Sequence, residues 1–278
     1  MRSSLRMEFF RATGIPPEAS EWFGKYDDFV RSKIGTQYKW PIRLRDWELW
    51  KVAQFLPQAR GPYRMLETGA FNTFLGLYLH ELSEHLTISD LMEYHKTVSL
   101  LRAFRIYRRH PLKAPYGRWR AATKKGAPRA ELRTVDLTDI PYDDDTFDFV
   151  TCVSIIEHIP DFPAAMAEML RVLKPDGLLL VTTDVTPEVQ PYRNGTKYLT
   201  IEEFREACHG ATDLSEGETP DFSEENWRYG ETFPVINAFV ALQKVVDGSV
   251  KPRPAHLTSG RVKTLGGERR TVASPDAQ

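Results

Sequence analysis

Four runs of apolar and β-branched residues in this sequence each give way to a carboxylate: Glu67 after "RML", Asp90 after "HLTIS", Asp136 after "ELRTV" and Asp184 after "GLLLVTT". An ionised carboxylate accepts hydrogen bonds and donates none, so a row of acids suits a ligand rich in hydroxyl and amino donors and disfavours phosphates. A nucleoside with an exposed ribose diol and a cationic amino-acid tail fits the set. Asp90 would take the ribose hydroxyls, Asp136 an adenine amino group, and Glu67 would lie near the positive end. The bland readings are a solvated residue at a strand end for Glu67 and a helix N-cap for Asp90. In "ETGAFNTFLG", Gly69 supplies a tight turn, but Phe71 and Thr73 stand where a pyrophosphate-binding turn spends further glycines to let the backbone approach the ligand. The missing glycines exclude a GxGxxG dinucleotide site and an NAD-dependent oxidoreductase with it. Thr73 can offer a hydroxyl there and Phe71 an apolar wall.

These residues need a scaffold that delivers strand ends to one place. From Tyr63 onward, strand-like runs ("RMLET", "HLTIS", "ELRTV", "FDFVTCV", "GLLLVTT", "INAFVALQK") alternate with amphipathic helical stretches such as "FPAAMAEMLRVL" and "TIEEFREAC". The latter is opened by a capping box from Thr200 to Glu203. Alternation of this kind predicts a mainly parallel α/β sheet with helices on both faces, which binds ligands at the carboxyl ends of its strands. Residues 1–62 read as a helical, aromatic-rich arm or cap, with Trp47, Trp50 and Phe55 at helical spacing in "RDWELWKVAQFL". Trp40, Arg43, Arg45, Asp46 and Trp47 could close over a ligand, against the plainer reading of core packing for the tryptophans. Residues 63–246 form the α/β domain. Residues 247–278 turn to Gly, Pro, Ser, Thr and Arg without periodicity and read as a disordered tail.

The 278 residues, 41% hydrophobic, suffice for a sizeable core. No apolar run reaches the length of about 18 residues that a membrane span needs. The first residues lack the apolar middle of a secretory signal. Cys152 and Cys208 lie far apart in no metal-ligand spacing, which fits a reducing, cytoplasmic setting without disulfides or structural zinc. Asp143, Asp144 and Asp145 invite a metal reading, but they stand between Pro141 and "TFDFV", where a turn is required. The formal net charge of −1 hides an asymmetry: residues 94–130 hold eleven of the 37 Lys and Arg and none of the 38 Asp and Glu. This basic insertion, at about 95–130, includes Arg102, Arg105, Arg109, Arg118, Arg120, Lys124 and Lys125, with Tyr116 and Trp119 among them. It would attract a polyanion such as nucleic acid, an anionic phospholipid surface or a lipid-linked glycan.

"VDLTDIPYDDDTFDFVTCVSIIEHIPD" followed by "EMLRVLKPDGLLLVTT" closely resembles class I S-adenosylmethionine (SAM) dependent methyltransferases with a type 11-like domain, and the likeness extends over roughly 63–244. The matching positions are Glu67 and Gly69, Asp90, Asp136 with Ile140 and Pro141, Phe147 with Asp148, and Arg171 through Gly177. The chain departs at Phe71 and Thr73, and at Asp176, which replaces the first glycine of a Pro-Gly-Gly turn. The resemblance implies a Rossmann-like seven-stranded sheet, SAM as cofactor, and a cofactor site of Glu67, Gly69, Ala70, Asp90, Asp136, Leu137 and Ser154. It implies methyl transfer to a small-molecule or glycan-type acceptor, with O-methylation as the expected chemistry and His158, in "SIIEH", as the base that removes the hydroxyl proton. Phe71 and Thr73 motivate an alternative, a catalytically degenerate protein of the same fold that holds an anionic partner through the basic insertion.

Overall fold

The computed structural model describes residues 6–12, 15–34, 44–69, 74–91, 130–191, 196–227 and 232–245. Its centre is one sheet of nine strands: β1 (Glu8–Phe9), β2 (Gly61–Thr68), β3 (Ser83–Asp90), β4 (Glu131–Thr134), β5 (Phe147–Val153), β6 (Leu173–Thr186), β7 (Leu199–Thr200), β8 (Ala211–Asp213) and β9 (Ile236–Lys244). Seven of these lie on one path in the order β1-β9-β6-β5-β2-β3-β4, while β7 pairs with β6 and β8 with β9. The seven-stranded Rossmann-like sheet expected from the sequence is therefore present, and all six strand-like runs form strands. Pairing is parallel from β4 through β6, and β9 returns antiparallel beside β6. β1 and β8 share the outer side of β9 at different heights, which covers part of an edge that would otherwise offer unpaired backbone groups.

The period-2 alternation of strand side chains explains the two cores. Met65, Phe149, Val153, Leu178, Leu180, Phe239 and Ala241 face one side of the sheet, and Leu66, Val150, Leu179, Val181, Ala238 and Val240 face the other. The first face is covered by α1 (Pro17–Ile34), α2 (Leu44–Gln54) and α3 (Leu75–Leu82), the second by α4 (Phe162–Arg171) and α5 (Ile201–Ala207). Trp47 and Trp50 are buried in the first core, and Phe55 packs against Phe239 with ring centroids 5.5 Å apart. α1 joins α3 through Trp22, Tyr26 and Tyr78, whose rings meet at 5.2 to 6.2 Å. Burial pushes the Tyr78 hydroxyl up to about 12. The N-terminal helices thus share one core with the sheet. α4 is capped by Asp161, which accepts from the Ala164 N–H, and α5 by the predicted capping box.

From β2 the chain builds outward to β3 and β4, then crosses back to place β5 on the other side of β2. That reversal makes the carboxyl ends of β2 and β5 the topological switch point, the place where sheets of this type carry their ligand crevice. The basic insertion from 95 to 129 and the tail from 247 lie outside the described residues. No helix among those described is long and apolar enough to cross a membrane.

Candidate functional site

At the end of β2, Glu67 is 2% exposed and its carboxylate runs under the first turn of α3. A Cβ added to Gly76 would come within 2.4 Å of Glu67 Oε2, so a glycine in this helix is what lets the carboxylate lie there. Gly69 follows with φ +61, and a Cβ on it would stand 2.1 Å from Ile155 Cδ1. Two independent causes, a left-handed backbone and a filled space, therefore require glycine at this turn. Ala70 through Thr73 lie outside the described residues. The chain re-enters at Phe74, a buried residue at φ 53 that serves as the N-cap of α3. A second left-handed residue in this turn is thus an aromatic, where a nucleotide loop would place glycine. Sequence reasoning missed it, because nothing in the residue type signals a positive φ.

Asp90 closes β3, partly exposed and in register with Thr134 of β4; the Val135 N–H donates to its carbonyl at 3.2 Å. Two residues past β4, Asp136 is exposed, and its Oδ1 accepts from both the backbone N–H and the hydroxyl of Thr138, at 2.9 and 2.8 Å. Those two donors hold its carboxyl below the usual carboxylate range. Leu137 turns inward and is buried. The turn has no helix of its own, and Arg171 brackets it from the end of α4. Its guanidinium donates to the carbonyls of Ile140 and Tyr142, both at 2.9 Å, and to the Asp144 and Glu168 carboxylates. Asp143, Asp144 and Asp145 form the expected turn, with Asp144 paired to Arg171 and Asp145 to Lys244.

After β5, Ser154 is buried with φ 50. Its N–H donates to the carbonyl of Thr182 at 2.9 Å and to Thr182 Oγ1 at 3.1 Å, and its hydroxyl donates to Glu48 Oε1 at 2.5 Å. Glu48 comes from α2 and is completely buried. The same oxygen also accepts from the Thr182 hydroxyl at 2.8 Å and from Asn237 Nδ2 at 3.0 Å. Asn237 Nδ2 reaches Asp184 Oδ1 as well, at 3.3 Å, so Asp184 belongs to this buried network and not to the open crevice. A sequence signal for Glu48 exists in retrospect: Trp47, Leu49, Trp50, Val52 and Ala53 leave α2 almost no solvated side, so an acid among them must find buried donors.

Glu157 and His158 divide on the short 3-10 turn that follows. Glu157 is completely buried and accepts from the Thr183 hydroxyl at 3.1 Å, whereas His158 is exposed, with Nδ1 at 3.0 Å from Thr196 Oγ1. The Lys197 N–H donates to the Glu157 carbonyl at 2.7 Å and keeps the 196–197 segment beside the turn. Cys152 is sealed in the core and burial pushes its thiol up to about 12, so it is not a nucleophile.

Glu67, Gly69 and Ser154 thus meet at the ends of two adjacent strands paired Thr68 to Cys152, and Asp90 ends the next strand with Asp136 beyond it. His158 lies four residues past Ser154 on the rim. The carboxylates among them form an acceptor set suited to hydroxyl, amino and cationic donors, and the absence of a Cβ at Gly69 and Gly76 leaves room for Ile155 and for the Glu67 carboxylate. A separate cleft of ≈ 220 Å³ opens at the opposite, amino ends of the strands beside Arg64, His85, Glu131 and Phe147, and brings none of these residues together.

Residues 113–181 match the model of a methyltransferase domain family. The demethylmenaquinone methyltransferase of Staphylococcus carnosus (strain TM300) is 35% identical over 71 residues, 26% of this chain and 30% of its own length. That of Clavibacter sepedonicus is 39% identical over 70 residues, 25% of this chain and 29% of its own. An uncharacterized methyltransferase, YcgJ of Bacillus subtilis (strain 168), is 34% identical over 67 residues, 24% of this chain and 26% of its own. The chain thus spans less than a third of the length of each of these three relatives. The crystal structure of YcgJ superposes with a TM-score of 0.49 at 16% identity, covering 71% of this chain and 97% of that one.

Proposed function

We propose that this chain, of which residues 113–181 match a methyltransferase domain family, is a SAM-dependent methyltransferase of class I that acts on a small-molecule or glycan-type acceptor, with transfer to oxygen. The observation that carries the reading is the turn at the end of β2, where the Glu67 carboxylate under Gly76 and the left-handed Gly69 against Ile155 flank the switch-point crevice. Glu67, Asp90 and Asp136 would hold the cofactor through its amino and hydroxyl donors, with Gly69, Ala70, Leu137 and Ser154 shaping the surface around it. When bound, SAM supplies an electrophilic methyl group on a sulfonium.

The protein's own part is to fix the acceptor in line with that methyl, since holding two reactants in a near-attack geometry removes much of the barrier. For a hydroxyl acceptor, the proton must leave as the new carbon–oxygen bond forms. His158 is suited to take it: in the tautomer whose Nδ1–H donates to Thr196 Oγ1, the imidazole would carry its lone pair on Nε2. The names of the relatives add demethylmenaquinone to the acceptors worth testing.

The test is transfer from methyl-labelled SAM to a panel of hydroxyl, amine, glycan and quinol acceptors, preceded by a calorimetric titration of SAM. Saturable binding and labelled product support the proposal; no binding at millimolar SAM overturns it. Salt-sensitive binding of a polyanion without any cofactor affinity would instead favour the non-catalytic alternative, whose basic insertion lies outside the described residues.

A further inference from the structure

Ser154 holds a left-handed conformation that a side chain with a Cβ resists, and such a residue persists only where its surroundings over-determine it. Of the three hydrogen bonds described above for Ser154, two lead to one acid, and the third joins the Ser154 N–H to the Thr182 carbonyl at 2.9 Å. The hydroxyl bonds Glu48 Oε1 directly. The N–H is received by Thr182, whose own hydroxyl proton is committed to Glu48 Oε1, which turns the Thr182 oxygen lone pairs toward Ser154. A hydroxyl with no such acceptor could rotate and present its proton to the Ser154 N–H instead. Glu48 therefore holds the side chain of Ser154 directly and, beside the Thr182 carbonyl, supports its N–H through the orientation of the Thr182 hydroxyl.

The next residue carries this outward. Ile155 fills the space that a Cβ on Gly69 would occupy, with Cδ1 2.1 Å and Cγ1 2.3 Å from that position. The direction in which Ile155 leaves Ser154 depends on the left-handed backbone of Ser154, so the wall against which Gly69 turns is set two steps away from α2.

We infer that Glu48 is a positioning residue for the cofactor turn: it locks Ser154 in its left-handed conformation and, through Ile155, fixes the wall beside Gly69. The inference rests on the reading of this crevice as the SAM site. It gives the N-terminal segment a part in cofactor recognition without contact to the cofactor. The carboxylate's charge matters, because hydrogen bonds to an ionised acceptor are about twice as strong as neutral ones.

The test is a set of calorimetric SAM titrations on the full chain, with the thermal midpoint of each variant as a control for folding. Glu48→Gln keeps volume and one acceptor oxygen but removes the charge, and is expected to weaken SAM roughly tenfold. Ser154→Ala, which takes the donor away while keeping the Cβ, is expected to do the same; it also stands in for Glu48→Gln should that variant not fold. The decisive arm is the Ser154→Gly background. Glycine adopts the left-handed conformation unaided, so adding Glu48→Gln there should change SAM affinity less than about twofold. A merely structural role for Glu48 would not be silenced by a glycine at position 154. SAM affinity equal to wild type in both single variants overturns the inference while leaving the functional reading intact, and so does an undiminished Glu48→Gln effect in the glycine background. Failure of the wild type to bind SAM overturns both.

Discussion

Replacing Gly69 by alanine probes the turn at the place where two causes act together. The left-handed backbone at φ +61 costs an L-residue about 1–2 kcal/mol. The new Cβ also falls 2.1 Å from Ile155 Cδ1 and 2.3 Å from Cγ1, too close for any side chain, so Ile155 must leave its rotamer at roughly 0.5–1.5 kcal/mol. Together these make about 1.5–3.5 kcal/mol, or roughly 10- to 300-fold in an equilibrium. Urea unfolding reads how much of this is taken by stability, and calorimetric SAM titration reads how much appears as a displaced turn. Combining Gly69→Ala with Ile155→Ala removes the colliding atoms but leaves the backbone cost. The double variant should recover the steric part, up to about tenfold, and no more. If Gly69→Ala matches wild type in both assays, or if the double variant is no better than the single one, the account of this turn is wrong.

Three further outcomes follow from the same geometry. Gly76→Ala raises the intrinsic helix propensity of α3 by about 1 kcal/mol. Its Cβ would meet Glu67 Oε2 at 2.4 Å, so SAM affinity measured by calorimetry should fall at least about tenfold even where unfolding is unchanged. Thr200→Ala removes the capping box of α5 and should cost about 1 kcal/mol, a lowering of roughly 2–4 °C in the thermal midpoint, with cofactor affinity unaltered. The Glu168 carboxyl is held below its ordinary value, chiefly by hydrogen bonds from Arg171 and against the opposing effect of burial. A depressed folded pKa contributes stability that is present above the unfolded value of 4.5 and lost as pH falls through the folded one. Thermal midpoints of wild type and Glu168→Gln should therefore differ at pH 7 and converge below pH 4.5; a constant gap would refute the assignment.

The principal strands were legible because each is a run of several residues rich in apolar or β-branched types, and β2, β3, β4 and β6 each lead to an acid. β1, β7 and β8 were not, since two or three residues carry no periodicity to read. The capping box of α5 and the helix at 44–54 could be read locally. What Glu48 does could not, because its donors Ser154, Thr182 and Asn237 lie 106, 134 and 189 positions away, and only the topology brings them to α2. The acids at the ends of β2 and β3 and beyond β4 were visible as residues. The difference between Asp136, exposed, and Asp184, buried against Asn237, depends on which side of the switch point each strand lies. Phe74 in a left-handed cap contradicts its residue type, and conflicts of this kind are expected to gather at functional or strained sites.

The two halves of the crevice are held by different parts of the chain. On the Asp136 side, the blocks "DLTDIP" and "EMLRVLKPDG" read as separate motifs but act as one mechanical unit. Arg171 of the second block grips the carbonyls of Ile140 and Tyr142 around the first, and Lys174 pairs with Asp148 at the start of β5. A turn without a helix behind it needs such a bracket, because its own backbone groups have no ladder to join. On the Gly69 side the corresponding support is Glu48, which comes from α2, ahead of β2. Residues 63–246 alone would keep the first bracket and lose the second, along with the α2 side chains that cover one face of β5, β6 and β9 and the α1 side chains packed on α2 and α3. The N-terminal helices are thus part of what shapes the ends of β5 and β6, and under the proposed function the unit that would hold the cofactor is larger than the segment in which the signature motifs appear.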